Sequence, residues 1–247
     1  ASAHMKLRLP QCPVIGFGAE NSAAHPVLDA VVEAPFHVED LVRAILANPH
    51  AAATLVQVLR LTEHMPLDDA LSVESMAYAM LQGSDEHKRW LSDQRVHSPL
   101  PAGAVLVRRK GHSLNLVMAR EWAGNAIDWP MRDALREALT FAALDYEIAR
   151  ITLHARGKAF CLGADLSEFG TTVDPATAHH IRGLTLPAKA AIAVADQLHV
   201  EIDGACIGAG LELAAFAHRI TATKRSWFQL PELAMGIMPG AGGCVSV

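Results

Sequence analysis

From Val38 to Arg95 the apolar positions recur at the spacing of one helix face: Val38, Leu41, Val42, Ile45 and Leu46, then Leu55, Val58, Leu59 and Thr62. This part reads as all helical. Asn48-Pro49 and Met65-Pro66 interrupt the stripe where a helix has to end or restart, because proline restricts the residue before it and supplies no N–H. Pro66-Leu-Asp-Asp reads as a helix start with acids in its first turn, and Gly83-Ser84 before Asp85 and Glu86 as a further stop and start. A polar, proline-containing segment from Val96 to Gly103 then separates this part from the rest.

Beyond that segment the period changes. Ala104 to Arg108 and Leu114 to Met118 predict short strands around a Lys110-Gly111 turn, followed by an amphipathic helix over Met131 to Leu144. Ile151 to His154 predicts a strand, Pro187 to Asp196 a helix, and His199 to Ile202 a strand running into glycine-rich turns. Alternating strands and helices define an α/β class. Two segments share one design, a strand that passes through small residues and then opens a helix: Lys158 to Leu166 and Asp203 to Leu213. Small side chains let a ligand approach the backbone, and unpaired N–H groups at such turns carry partial positive charge. Two amides converging on one oxygen would form an oxyanion hole.

Composition narrows the classes. A chain of 247 residues, 51% hydrophobic, can bury a substantial core. No apolar run approaches the roughly 20 residues of a membrane helix, so no membrane association is expected and the cytoplasm is the expected location. Ala1 to Met5 reads as a cloning remnant with Met5 as the native start. A formal charge of −5 argues against a nucleic-acid partner. Cys12, Cys161, Cys206 and Cys244 lack paired metal-ligand spacing and read as buried thiols, and the 13 histidines lack it as well, so no metal is expected. His154 reads as a core histidine, Lys224-Arg225 as a solvated turn pair, and Asp165 as a helix cap.

The segments Ala159-Phe-Cys-Leu-Gly-Ala-Asp-Leu, Gly204-Ala-Cys-Ile-Gly-Ala-Gly-Leu-Glu-Leu and Phe228-Gln-Leu-Pro-Glu-Leu-Ala-Met-Gly-Ile-Met-Pro-Gly-Ala-Gly-Gly together resemble the crotonase, or enoyl-CoA hydratase and isomerase, superfamily, in the family's order. The resemblance covers roughly residues 104 to 247. It implies an α/β fold with a ββα spiral core over 99–247 that ends early relative to the family. The region 6–98 is similar to the helices that relatives place after the core and use in trimer contacts, carried here at the front in the role of the later ones. It further implies that the backbone N–H groups of Ala164 and Ala209 form the oxyanion hole, and that Glu212 and Glu232 are the acid–base pair. Ala123, Asn125, Gly163, Asp165, Leu166 and Gly208 are implied around the substrate, with Asn125 in a Gly-Asn-Ala element that positions the coenzyme. Leu162 stands where relatives carry a small residue and is expected to reshape the pocket, Trp122 stands where many carry a basic residue, and Phe169 to Thr172 are expected to border the acyl pocket.

Two carboxylates suit hydration, because water must be activated at the β-carbon while a proton is delivered to the α-carbon. The implied partner is an acyl-CoA thioester, with coenzyme A as part of the substrate and no separate cofactor. The implied assembly is a homo-oligomer, a trimer or a dimer of trimers. An isomerase, hydrolase, decarboxylase or cofactor-free oxygenase shares the same hole, and a non-catalytic acyl-CoA-binding subunit is the alternative from another class.

Overall fold

The computed structural model describes residues 9–18, 28–94 and 100–247. Residues 1–5, Arg95 and the first half of the separating segment, 96–99, lie outside the described residues, so the readings made of them have no structural counterpart here.

The first part is built as the hydrophobic pattern predicts. Helices α1 (Val38–Ala47), α2 (Pro49–Thr62), α3 (Leu67–Gln82) and α4 (Asp85–Asp93) break at the two prolines and at Gly83. Ser84 caps α4 by accepting a hydrogen bond from the His87 N–H. A short parallel pair, β1 (Ile15–Phe17) and β2 (Ala30–Val32), precedes them and escaped the sequence reading, since two three-residue strands offer too few positions for a period. Arg60 of α2 ties this pair down through Asp29, whose other oxygen accepts from Val14 N–H.

The second part is a mixed α/β unit. A hairpin of β3 (Ala104–Lys110) and β4 (Ser113–Ala119) turns at Gly111, with φ of 58°. Strand β4 then pairs in parallel with β5 (Arg150–Ala155), β5 with β6 (Leu198–Ile202), and β6 with β8 (Arg219–Ala222), giving the order β3-β4-β5-β6-β8. Leu114, Leu116 and Met118, Ile151 and Leu153, and Leu198, Val200 and Ile202 alternate inward from three adjacent strands. They meet Met131, Leu135, Ala138, Leu139 and Ala142, one face of α5 (Trp129–Leu144). Asp128 caps α5 by accepting from Met131 N–H at 3.0 Å.

Each chain leaving this sheet adds one strip to a second, smaller layer. Ile127 bridges to Ala164, Cys161 bridges to Cys206, and β7 (Ala205–Ile207) pairs with β9 (Trp227–Gln229), all in parallel. The strand–strand–helix unit therefore repeats, and the turns between the layers are the small-residue loops read from the sequence. Helix α6 (Pro175–Thr185) was not anticipated, although Asp174 caps it and Pro175 opens it. The predicted helix over 187–196 is shorter, α7 (Ala188–Ala193), because the chain turns again before β6. Helices α8 (Ala209–Ala214) and α9 (Gly243–Ser246) complete the set.

The front helices are packed onto the core. Ala51 and Val58 of α2 with Tyr78 and Leu81 of α3 form a second apolar cluster with Met235, Ile237, Met238 and Cys244. Gly240 is required there: a Cβ at that position would stand 2.1 Å from the Tyr78 ring. Among the described residues no helix is long and apolar enough to cross a membrane. Cys161, Cys206 and Cys244 are buried thiols as read, but Cys12 is exposed, since it precedes β1 outside either core. Arg225 is not merely solvated, for it pairs with Asp203 through two guanidinium nitrogens.

Candidate active site

The site is a cavity of about 740 Å³ where the loops after β5 and β7 meet the segment after β9. Its wall includes Gly163, Ala164, Asp165, Leu166, Gly208, Ala209, Glu212 and Glu232. Ala123 and Asn125 lie off that wall. Asn125 is fully buried with φ of 55°, and its side chain is used inside the protein: it accepts from Arg120 N–H at 2.9 Å and donates to the carbonyls of Arg156 and Ala159. It pins the turn after β4 to the strand end that leads into the first loop.

Two residues of the wall have amides without a protein partner among the described residues. The bridge between Ile127 and Ala164 uses the Gly163 carbonyl and the Asp165 N–H, at 2.8 and 2.9 Å, which turns the Ala164 N–H away from the bridge. Ala209 is the first residue of α8, where a helix leaves its N–H unpaired. Among the described residues neither N–H donates to a protein acceptor. The two loops touch, since a Cβ on Gly208 would lie 3.6 Å from the Gly163 Cα. That same Cβ would stand 2.7 Å from Glu232 Oε1, and φ is 48°, so glycine at 208 is what lets the second loop pass the carboxyl.

Three glutamates are buried at or beside this cavity: Glu212 and Glu232 on its wall, with exposures of 2% and 8%, and Glu74 off it, with 1%. Glu212 Oε2 accepts from Ala241 N–H at 2.6 Å and Gly243 N–H at 2.8 Å. Glu74, from α3, accepts from the two amides between and beyond: Gly242 N–H on Oε1 and Cys244 N–H on Oε2, both at 2.8 Å. Four consecutive N–H groups thus alternate between a cavity glutamate and one supplied by the front helices. Glu232 differs, because its Oε2 has no hydrogen-bond partner among the described residues.

These settings raise all three glutamates against different opposition. Burial pushes Glu232 up to about 8, helped by the charge of Glu212. Burial and Glu212 push Glu74 to about 8 as well, against the pull of its two amides. Burial also raises Glu212, opposed by the amides of Ala241 and Gly243 and by the charge of Arg182. The protein can therefore present one carboxyl that keeps its proton near neutral pH beside one whose charged form is hydrogen-bonded.

A pH dependence of stability follows. In the folded chain Glu74 and Glu232 hold protons up to about pH 8, whereas the ordinary carboxyl value is 4.5. The native state binds more protons between those limits, so their contribution is full below about 4.5 and declines as pH rises to about 8. Urea midpoints measured at intervals from pH 5 to 8.5 are expected to fall, and the fall is expected to be shallower in Glu74→Gln.

Asp165 is a cap as read, accepting from Ser167 N–H at 2.9 Å, but it does more. It pairs at 2.6 Å with Arg120, a buried cation that also pairs with Asp128 at 3.3 Å. Burial works to raise Asp165, yet Ser167 and Arg120 outweigh it and hold it low. Arg120, Glu74, Tyr78 and Arg182 were missed in the sequence. Leu162 lies on the wall, 2.4 Å from where a Cβ on Gly124 would be. Trp122 is off the wall and half exposed, with its indole N–H 3.4 Å from the Pro101 carbonyl. Phe169, Thr171 and Thr172 border the cavity, and Phe169 packs on Trp90 and His87 of α4.

Comparison with known proteins agrees with this architecture. The family model described as enoyl-CoA hydratase/isomerase matches residues 111–247. The chain belongs to the enoyl-CoA hydratase/isomerase family. It is similar to the 2,3-dehydroadipyl-CoA hydratase of Escherichia coli K12, at 34% identity over 139 residues, covering 56% of this chain and 54% of that protein. It is also similar to the mitochondrial enoyl-CoA hydratase of Pongo abelii, at 32% identity over 142 residues, covering 55% and 47%. Among solved structures, enoyl-CoA hydratase subunit I from Geobacillus kaustophilus HTA426 superimposes with a TM-score of 0.52 at 28% identity, covering 57% of this chain and 54% of that one. The chain spans about half the length of the curated relatives it matches.

Proposed function

We propose that this protein adds water to a 2-enoyl-CoA thioester, giving a 3-hydroxyacyl-CoA. The observation that carries the reading is the convergence in one cavity of two unpartnered amides, Ala164 and Ala209, with two buried carboxyls of different character, Glu212 and Glu232. The amides hold the thioester oxygen as enolate charge develops. Glu212, whose carboxylate form is hydrogen-bonded, takes a proton from water as its oxygen bonds to the β-carbon. Glu232, protonated up to about pH 8, delivers its proton to the α-carbon. Coenzyme A is the handle of the substrate and no separate cofactor enters the step. The relatives named as hydratases support hydration as the family chemistry. The front helices belong to this site in the same reading, because Tyr78 and Gln82 of α3 stand on its wall.

The oxyanion part is tested by Ala209→Pro. Proline is accepted at the first position of a helix, so the change removes the N–H and sets a ring methylene in its place while the helix start is kept. The turnover number is expected to fall about 10²- to 10³-fold, with the circular-dichroism spectrum unchanged. Unaltered turnover would remove Ala209 from the hole. Migration of the double bond in a 3-enoyl-CoA without uptake of water would favour the isomerase reading, in which one carboxyl shuttles a proton.

A further inference from the structure

Arg182 of α6 lines the same cavity, and nothing in the hydration step uses it. Its guanidinium carbon lies 3.9 Å from the centroid of the Tyr78 ring, an arrangement that fixes a cation by its face and leaves its edges to other partners. Nε and Nη2 are buried without an acceptor, and among the described residues no carboxylate pairs with this side chain. It shares the cavity wall with Glu212 and Glu232 and so belongs to the reacting end of the cavity, where its charge opposes the rise that burial gives Glu74 and Glu212. Coenzyme A carries its phosphates a full pantetheine arm away from that end.

The edge formed by Nε and Nη2 is one that this chain uses for carboxylates elsewhere. Arg60 grips Asp29 through those two atoms, and Arg225 grips Asp203 in the same way. A planar two-donor edge matches the two oxygens of a carboxylate, and a cation removed from water is stabilised by such a partner. Of the acids nearby, Glu74 and Glu232 keep their protons near neutral pH, which leaves Glu212 as the one carboxylate on the same wall.

We propose that Arg182 is a specificity-determining residue that receives a carboxylate at the far end of the acyl chain, so that the substrate class is the CoA thioester of an unsaturated dicarboxylic acid. This rests on the acyl-CoA reading of the cavity. The test is a binding measurement that needs no turnover: titration of the protein with hexanoyl-CoA and with adipyl-CoA, its counterpart ending in a carboxylate, by calorimetry. Wild type is expected to bind adipyl-CoA about 10- to 100-fold more tightly. Arg182→Met is expected to abolish that difference while leaving hexanoyl-CoA affinity within about threefold, and Arg182→Lys to restore part of it. Equal affinity of wild type for the two thioesters, or parallel loss of both in Arg182→Met, would overturn the assignment. Turnover of trans-hex-2-enoyl-CoA and its ω-carboxyl analogue, measured beside it, separates the two claims: discrimination in binding without hydration would sink the hydratase reading alone.

Discussion

Glu232→Gln is expected to lower the turnover number on a 2-enoyl-CoA about 10²- to 10⁴-fold, the range supplied by one positioned acid–base group, while leaving stability nearly unchanged. The two halves of that expectation come from one feature. Glu232 keeps its proton up to about pH 8 because burial and the neighbouring Glu212 disfavour its charge, and its Oε2 has no partner among the described residues. Glutamine therefore replaces one neutral group by another of the same shape, with few hydrogen bonds at stake. What disappears is the transferable proton. Glu212→Gln is expected to lose turnover on a similar scale but also some stability, because its carboxylate accepts the Ala241 and Gly243 amides. Steady-state kinetics beside urea denaturation checks both. Near-normal turnover in Glu232→Gln would contradict the role assigned to it.

Glu74→Ala is expected to be the most destabilising single change, by about 3–5 kcal/mol, since each buried N–H stripped of its acceptor costs roughly 1–3 kcal/mol and a cavity is left besides. The Gly242 and Cys244 amides both bond to this one side chain, and it is 1% exposed. The effect should spread to catalysis, because Gly242 lies between the two amides that hold Glu212. Glu74→Gln, which keeps one oxygen and the volume, is expected to cost less than half as much. Urea unfolding of the three proteins supplies the comparison, and a loss below about 1 kcal/mol for Glu74→Ala would mean that the loop finds other acceptors.

Those two residues also mark what could and could not be read in advance. Glu232 sits in the segment Gln229-Leu-Pro-Glu and Glu212 closes the second glycine-rich segment, so the resemblance those segments carry named both as candidates, and both line one cavity. Helix breaks at Pro49, Pro66 and Gly83 were legible for the same reason, because proline and glycine act on their immediate neighbours. The inward alternation of β4, β5 and β6 was legible because one face of each is buried. Glu74, by contrast, meets its partners across 168 and 170 residues of chain, and nothing in Ser72-Val-Glu-Ser announces that. Arg120 reaches Asp165 across the fold in the same way. The second layer was illegible because its strips are only one to three residues long and each pairs with a distant segment. Helix α6 carried a readable cap in Asp174-Pro175, but of its eleven residues only Ala178 is buried, too little for an apolar stripe.

The most direct test of the account is incubation of the full-length protein with crotonyl-CoA in ¹⁸O-labelled water, following the absorbance of the conjugated thioester and the mass of the product. The account predicts loss of that absorbance with one labelled oxygen in a 3-hydroxyacyl-CoA, and neither change in Glu232→Gln. Consumption of the substrate without label in the product, or hydration undiminished in Glu232→Gln, would contradict it.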